Sequence, residues 1–176
     1  MEDKRQEAIK KLNDLIESID FTMLTTIDTD GVLRSRPMST QKAEFDGTLW
    51  FFTSDKTHKV EEIERDNRVN ASYAEPEDNV YVSVSGAASI VKDRAKMEEL
   101  WNPILKAWFP KGLDDPNITL LKVSVEAAEY WDSTSSTIVQ VAGFIKALVT
   151  GMRADGGENE KINNINIFGS SSGQHD

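Results

Sequence analysis

Six short apolar or alternating runs, joined mainly by turns, constrain what this 176-residue chain can fold into. They are "DFTMLTTID", "GVLRSRPMST", "TLWFFTS", "RVNASYA", "NVYVSVSGAASIV" and "NITLLKVSVEAAEYWD". In the fifth, Val80, Val82 and Val84 alternate with Tyr81, Ser83 and Ser85, which gives one apolar and one polar face. The third is apolar on both faces and reads as a buried strand. "DTDG" supplies turn chemistry for a hairpin between the first two runs, and "FDG" at 45–47 punctuates again before the third. Without a βαβ rhythm, such a succession predicts an antiparallel barrel or sandwich. In the sixth run Leu121, Val123, Val125 and Ala127 are expected in its core.

Helical periodicity fills the gaps. Ile9, Leu12, Ile16 and Ile19 form one stripe within residues 5–19, and "DKTHKVEEIERD" reads as a short helix with Val60 and Ile63 inward. "KDRAKMEELWNPILKAWF" predicts a helix capped by Asp93 and interrupted at Pro103, with Trp101 and Trp108 anchoring it to the barrel or to a second subunit. A last helix is expected over about 137–150. Residues 1–150 therefore read as one domain and 151–176 as a polar tail. Its end, "GSSSGQHD", reads as disordered, while "KINNINIF" suits an edge strand or a frayed segment.

A net charge of −10 repels nucleic acid and anionic lipid, so any bound phosphate needs a local cationic cluster. The absence of cysteine and the presence of only two histidines, His58 and His175, argue against a metal site or a thiol nucleophile. The N-terminus has no apolar leader, and "TIVQVAGFIKALVTG" is too short and too polar to span a bilayer. A cytoplasmic protein is expected, without membrane or nucleic-acid partners.

Two cationic clusters stand out. Arg34 and Arg36 are two residues apart on a strand and share a face. In "FFTSDKTHKVEEI", Thr53 and Ser54 precede a helix whose first turn carries Lys56, His58 and Lys59, beside unpaired backbone N–H groups and the positive end of the helix dipole. Either cluster alone could simply answer nearby carboxylates on the surface. If the second and third strands are hairpin neighbours, the clusters converge into a site for a dianionic phosphoester.

"LRSRPM", "LWFFTSDKTHKVEEI", "VSGAASIVKDRAKMEELW" and "EYWDS", in this order and spacing, resemble the general stress protein 26 family, flavin-binding split barrels related to pyridoxamine 5'-phosphate oxidase. The resemblance spans about residues 5–150. It implies a mainly β fold, a six-stranded antiparallel split barrel with N-terminal and C-terminal helices, forming a homodimer with FMN at its interface. By matching position, Arg36 would reach the FMN phosphate, with Ser35, Pro37 and Met38 on the strand that runs beside the flavin. Phe52 and Thr53 match a strand-end pair that contacts the cofactor, with Ser54 adjoining. His58 and Lys59 match a basic pair on the phosphate, and Trp131 matches an aromatic near the flavin ring. Arg34 has no firm counterpart there and enters on strand parity alone.

The chain departs from the oxidases elsewhere. Gln41 stands where they carry a substrate-phosphate lysine, Tyr81 where they carry a glutamine, and "STSSTIVQ" where an Arg-x-His-Asp-Arg run is expected. The resemblance therefore implies a stress-response FMN oxidoreductase or flavin reductase with a small-molecule redox partner, and not pyridoxamine phosphate oxidation. A non-catalytic FMN store, or a related barrel for another planar cofactor, are the alternatives; no catalytic side chain is assigned.

Overall fold

The computed structural model describes residues 2–41, 43, 45–132 and 158–163. Helix α1 (Glu2–Ile16) leads into the hairpin β1 (Phe21–Ile27) and β2 (Leu33–Ser39). Then come β3 (Thr48–Ser54), α2 (His58–Arg65), β4 (Arg68–Glu75), β5 (Val80–Val91), α3 (Arg94–Leu100), β6 (Ile118–Asp132) and β7 (Glu158–Asn163). Two 3₁₀ turns, Pro103–Ala107 and Gly112–Asp114, separate α3 from β6. All strand pairs are antiparallel, in the order β2-β1-β4-β5-β6-β3, with β7 added beside β6. This is the split-barrel architecture that the resemblance implied, and it falls within the antiparallel barrel or sandwich that the strand pattern allowed. The expected helix at 137–150 and the end "GSSSGQHD" lie outside the described residues. Part of "KINNINIF" belongs to β7, so that segment does extend the sheet.

One expectation fails at the point that matters most for the site. β3 does not pair with β2; it crosses over to pair with β6, in register Leu49↔Val123 and Phe51↔Leu121. Its residues Leu49, Phe51 and Phe52 are buried, and a centrally placed β6 gives them apolar neighbours that the polar β2 edge could not. β2 and β3 thus end the six-strand path at its two extremities.

The edge character of β2 is visible in its backbone. Thr40 N–H donates to Asp20 at 2.8 Å and Asp28 N–H donates to Val32 at 2.8 Å, which fixes the hydrogen-bonding phase of the β1–β2 ladder at both ends. In that phase residues 34, 36 and 38 bond to β1, while 35, 37 and 39 turn their backbone groups outward. Pro37, which has no N–H to offer, falls on an outward position, where an edge strand tolerates proline.

The barrel interior is filled by alternate residues. Leu24, Ala71, Val84, Leu121 and Val123 are fully buried, each large aliphatic side chain contributing about 1.5–3 kcal/mol over exposure. α1 closes one end with Ile9, Leu12 and Ile16, as its stripe predicted. Asp93 caps α3 by accepting from Lys96 N–H at 3.1 Å, and the helix ends before Pro103. A register shift lies between Ser85 and Gly86, which pair with Ala127 and Val125. The intervening Glu126 is exposed, and the inward phase of β6 moves from odd to even numbers. Ala128 and Tyr130 are therefore buried, and Ala127, expected in the core, is not. Gly86 is obligatory here: a Cβ would lie 2.2 Å from the Ser124 carbonyl oxygen.

Candidate functional site

Arg36 leaves β2 on the face turned toward α2, and its side chain is 23% exposed. Nη1 donates to the Leu24 carbonyl at 3.3 Å and to Thr26 Oγ1; Nη2 donates to Glu62 Oε2 at 2.9 Å. The Thr26 hydroxyl donates to that same carboxylate oxygen. Glu62 is buried on α2, so burying its charge depends on these two partners. Five N–H donors make up a guanidinium. Nε–H and one Nη2–H of Arg36 meet no acceptor among the described residues, and together they form its bidentate side edge.

The start of α2 faces the same problem of unmet groups. Thr57 occupies the N-cap position, yet its side chain makes no capping bond; its hydroxyl donates to the Ser54 carbonyl at 2.9 Å. The His58 and Lys59 N–H groups that open the helix meet no acceptor among the described residues and are left for an anion, while Val60 N–H donates to the Thr57 carbonyl at 3.0 Å. Lys59, in that first turn, is half-buried, with Nζ donating to Thr57 Oγ1 at 3.2 Å. Burial and the neighbouring Arg36 guanidinium push its ammonium pKa below the usual value, with Glu62 acting the other way. Thr53 Oγ1, at the end of β3 just before this turn, is buried without a hydrogen-bond partner among the described residues. A guanidinium edge, a desolvated ammonium, an uncapped helix start and an unmet hydroxyl therefore stand along β2, β3 and α2. An oxyanion such as a phosphate suits the neighbouring guanidinium edge, ammonium and helix start.

The other residues singled out from the sequence divide. Arg34 shares Arg36's face, but it is exposed and bound to Asp28, whose carboxyl it holds below the usual carboxylate range. With His58, Glu61 and Glu62 the pair lines a recess of about 480 Å³ between the β1–β2 turn and α2. His58 is 97% exposed with Nδ1 3.7 Å from Glu61, so for His58 and Arg34 the surface-partner alternative describes the arrangement present. Lys56 precedes the helix instead of joining its first turn. Ser54 accepts from Lys56 N–H at 3.3 Å and shapes the turn.

Burial and topology locate the rest. The Met38 side chain belongs to the core, which leaves its backbone, as expected of this strand, to run beside a flavin. The Phe52 ring packs edge-on against Trp101, ring centroids 5.6 Å apart, and in a tilted contact with Phe109 at 6.4 Å, so its side chain belongs to the second apolar cluster. Trp101 thus anchors its segment to the barrel, whereas Trp108 is exposed. Trp131 is 38% exposed opposite Tyr81, on β6, four strands from β2. It does not join the Arg36 cluster within one chain. Ser35 and Pro37 are exposed on the outer face of β2, Ser35 Oγ lying 2.7 Å from Thr25 Oγ1.

Glu62 and Thr26 were not legible as site residues. Glu62 sits three residues after Lys59 and beside the inward Val60 and Ile63, which is the spacing that could have revealed it.

Residues 7–155 match the family described as "Pyridoxamine 5'-phosphate oxidase like". The chain is 34% identical over 158 residues to protein bli-3 of Neurospora crassa, covering 82% of this chain and 76% of that one. It is 29% identical over 142 residues to general stress protein 26 of Bacillus subtilis, covering 78% and 97%. A crystal structure of the general stress FMN/FAD binding protein of Xanthomonas citri superposes with a TM-score of 0.63 at 30% identity, covering 74% of this chain and 92% of the other.

Proposed function

Because the chain belongs to the pyridoxamine 5'-phosphate oxidase-like family, we propose that it binds FMN, with the flavin phosphate held between Arg36, Lys59 and the start of α2. The observation that carries this reading is the unmet bidentate edge of Arg36 beside an uncapped helix N-terminus. Thr53 Oγ1 supplies a further hydrogen bond, and the outward backbone of Ser35, Pro37 and Ser39 on the β2 edge can meet the polar rim of a flat ring. The flavin-binding name of the Xanthomonas citri relative supports the same reading.

Trp131 reaches such a ring only from a second copy, given its distance across the sheet. We read the protein as a homodimer whose outer sheet faces, with exposed Met23, Leu33, Tyr81 and Trp131, close over the flavins. Bound FMN supplies the redox chemistry; the chain supplies position and charge. Gln41, whose amide donates to the Ser39 carbonyl at 3.2 Å, offers no cation for a second phosphate. This supports a small-molecule oxidoreductase or flavin reductase over pyridoxamine phosphate oxidation.

The test is spectroscopic. The purified protein should take up FMN stoichiometrically, with a yellow absorbance band, and reduced nicotinamide should bleach it with turnover on an added acceptor. Uptake without any turnover would leave a flavin-binding protein and remove the enzyme reading. No uptake would remove both.

A further inference from the structure

Glu62 is an unexpected neighbour for a phosphate site. A buried carboxylate opposes an incoming dianion, and it would be a liability unless it did something else. Its contacts show what that is. Thr26 Oγ1 and Glu62 Oε2 each bond Arg36, through Nη1 and Nη2, and they bond one another. The two groups span the end edge of the guanidinium, and the Leu24 carbonyl takes the last Nη1 donor at 3.3 Å. The side edge, Nε–H with the second Nη2–H, is left as the one bidentate face. A flexible arginine is thereby held in a single plane before any ligand arrives. The carboxylate lies on the adjoining end edge and shares Nη2 with the side edge, so it fixes the plane of the guanidinium without occupying the two donors left for an anion.

Resting on the FMN reading above, we propose that Glu62, together with Thr26, is a positioning residue that makes the site selective for the flavin's terminal phosphate. It touches neither phosphate nor ring. It acts by fixing Arg36, so its loss should be felt by ligands that carry the phosphate and not by those that lack it.

The experiment compares FMN with riboflavin on the full-length protein, using quenching of flavin fluorescence. Glu62→Gln keeps the shape but sets an uncharged amide against the guanidinium. It should weaken FMN about tenfold, as one charge-assisted contact is lost, while the riboflavin dissociation constant shifts by less than about twofold. Thr26→Val removes one hydroxyl at nearly constant volume and should weaken FMN about threefold with the same selectivity. A purely structural role would weaken both ligands together, and that result overturns the proposal. Unchanged or tighter FMN binding also overturns it, since the carboxylate would then only oppose the phosphate. If Glu62→Gln does not fold, Thr26→Val decides: unchanged FMN affinity ends the idea. A wild-type protein that binds neither flavin fails the FMN reading and this inference with it. Wild-type binding with indifferent variants fails this inference alone.

Discussion

Replacing Arg36 with alanine removes the group on which the phosphate site turns, and the consequences can be worked from its contacts. The side edge of the guanidinium offers two parallel charge-assisted hydrogen bonds, each contributing about 1.5–3 kcal/mol when made to an ion. The helix start and Lys59 remain to hold part of the anion, so the net loss should fall near the lower limit, about 3 kcal/mol. That corresponds to roughly a hundredfold weaker FMN binding. Riboflavin should be almost unaffected. The change also strips Glu62 of its closest cation, at 2.9 Å, inside a buried setting. Breaking a buried pair by removing one partner costs about 3–5 kcal/mol. Arg36 is partly exposed, and Glu62 keeps Thr26 and lies near Lys59, so a fold destabilisation of about 1–2 kcal/mol is expected. Equilibrium titration with FMN and riboflavin, paired with urea unfolding of the flavin-free protein, measures both quantities. An FMN affinity within about threefold of wild type, with the fold intact, would mean that Arg36 does not hold the phosphate.

Arg34→Ala should reduce FMN affinity by less than about threefold, because its charge is exposed and already bound to Asp28; an effect as large as that of Arg36→Ala would reverse the ranking. Gly86→Ala drives a Cβ to 2.2 Å from the Ser124 carbonyl, so the β5–β6 ladder must shift, and urea unfolding should show a loss of at least about 3 kcal/mol. A bound phosphate favours the Lys59 ammonium, whose pKa in the free protein lies below the usual 10.5. FMN affinity should therefore fall as pH rises through a midpoint below 10.5, and Lys59→Arg should remove that decline. The fold responds with the opposite sign: a lowered lysine pKa means that burying the ammonium costs stability at lower pH, a cost that disappears as pH climbs.

How much of this could be read from the sequence differs by feature. Alternation in "VYVSVS", the "DTDG" turn and the Ile9–Leu12–Ile16 stripe are local signals, and the strands, the hairpin and α1 appear where those signals lie. Pairing between distant strands is not local. The apolar faces of β3 ask for a buried place, but no local signal names β6 as its partner, and pairing it with β2 placed its hydroxyls beside the arginines by the wrong route. The clusters still approach one another, because α2 carries Lys59 and Glu62 back against β2. The Glu126 bulge was hidden as well, since a one-residue slip changes facing without changing composition. The arginines were visible, but their carboxylate partners were not. Asp28 and Glu62 are two among 30 acidic residues, and only the fold selects them.

A crystal structure of the protein with FMN would show where the phosphate sits. Phosphate oxygens are expected within hydrogen-bonding distance of Arg36 Nε and Nη2 and of the first N–H groups of α2, with Glu62 still on the adjoining end edge of the guanidinium. A phosphate held away from β2 and α2, with the side edge of Arg36 left to water, would contradict this placement.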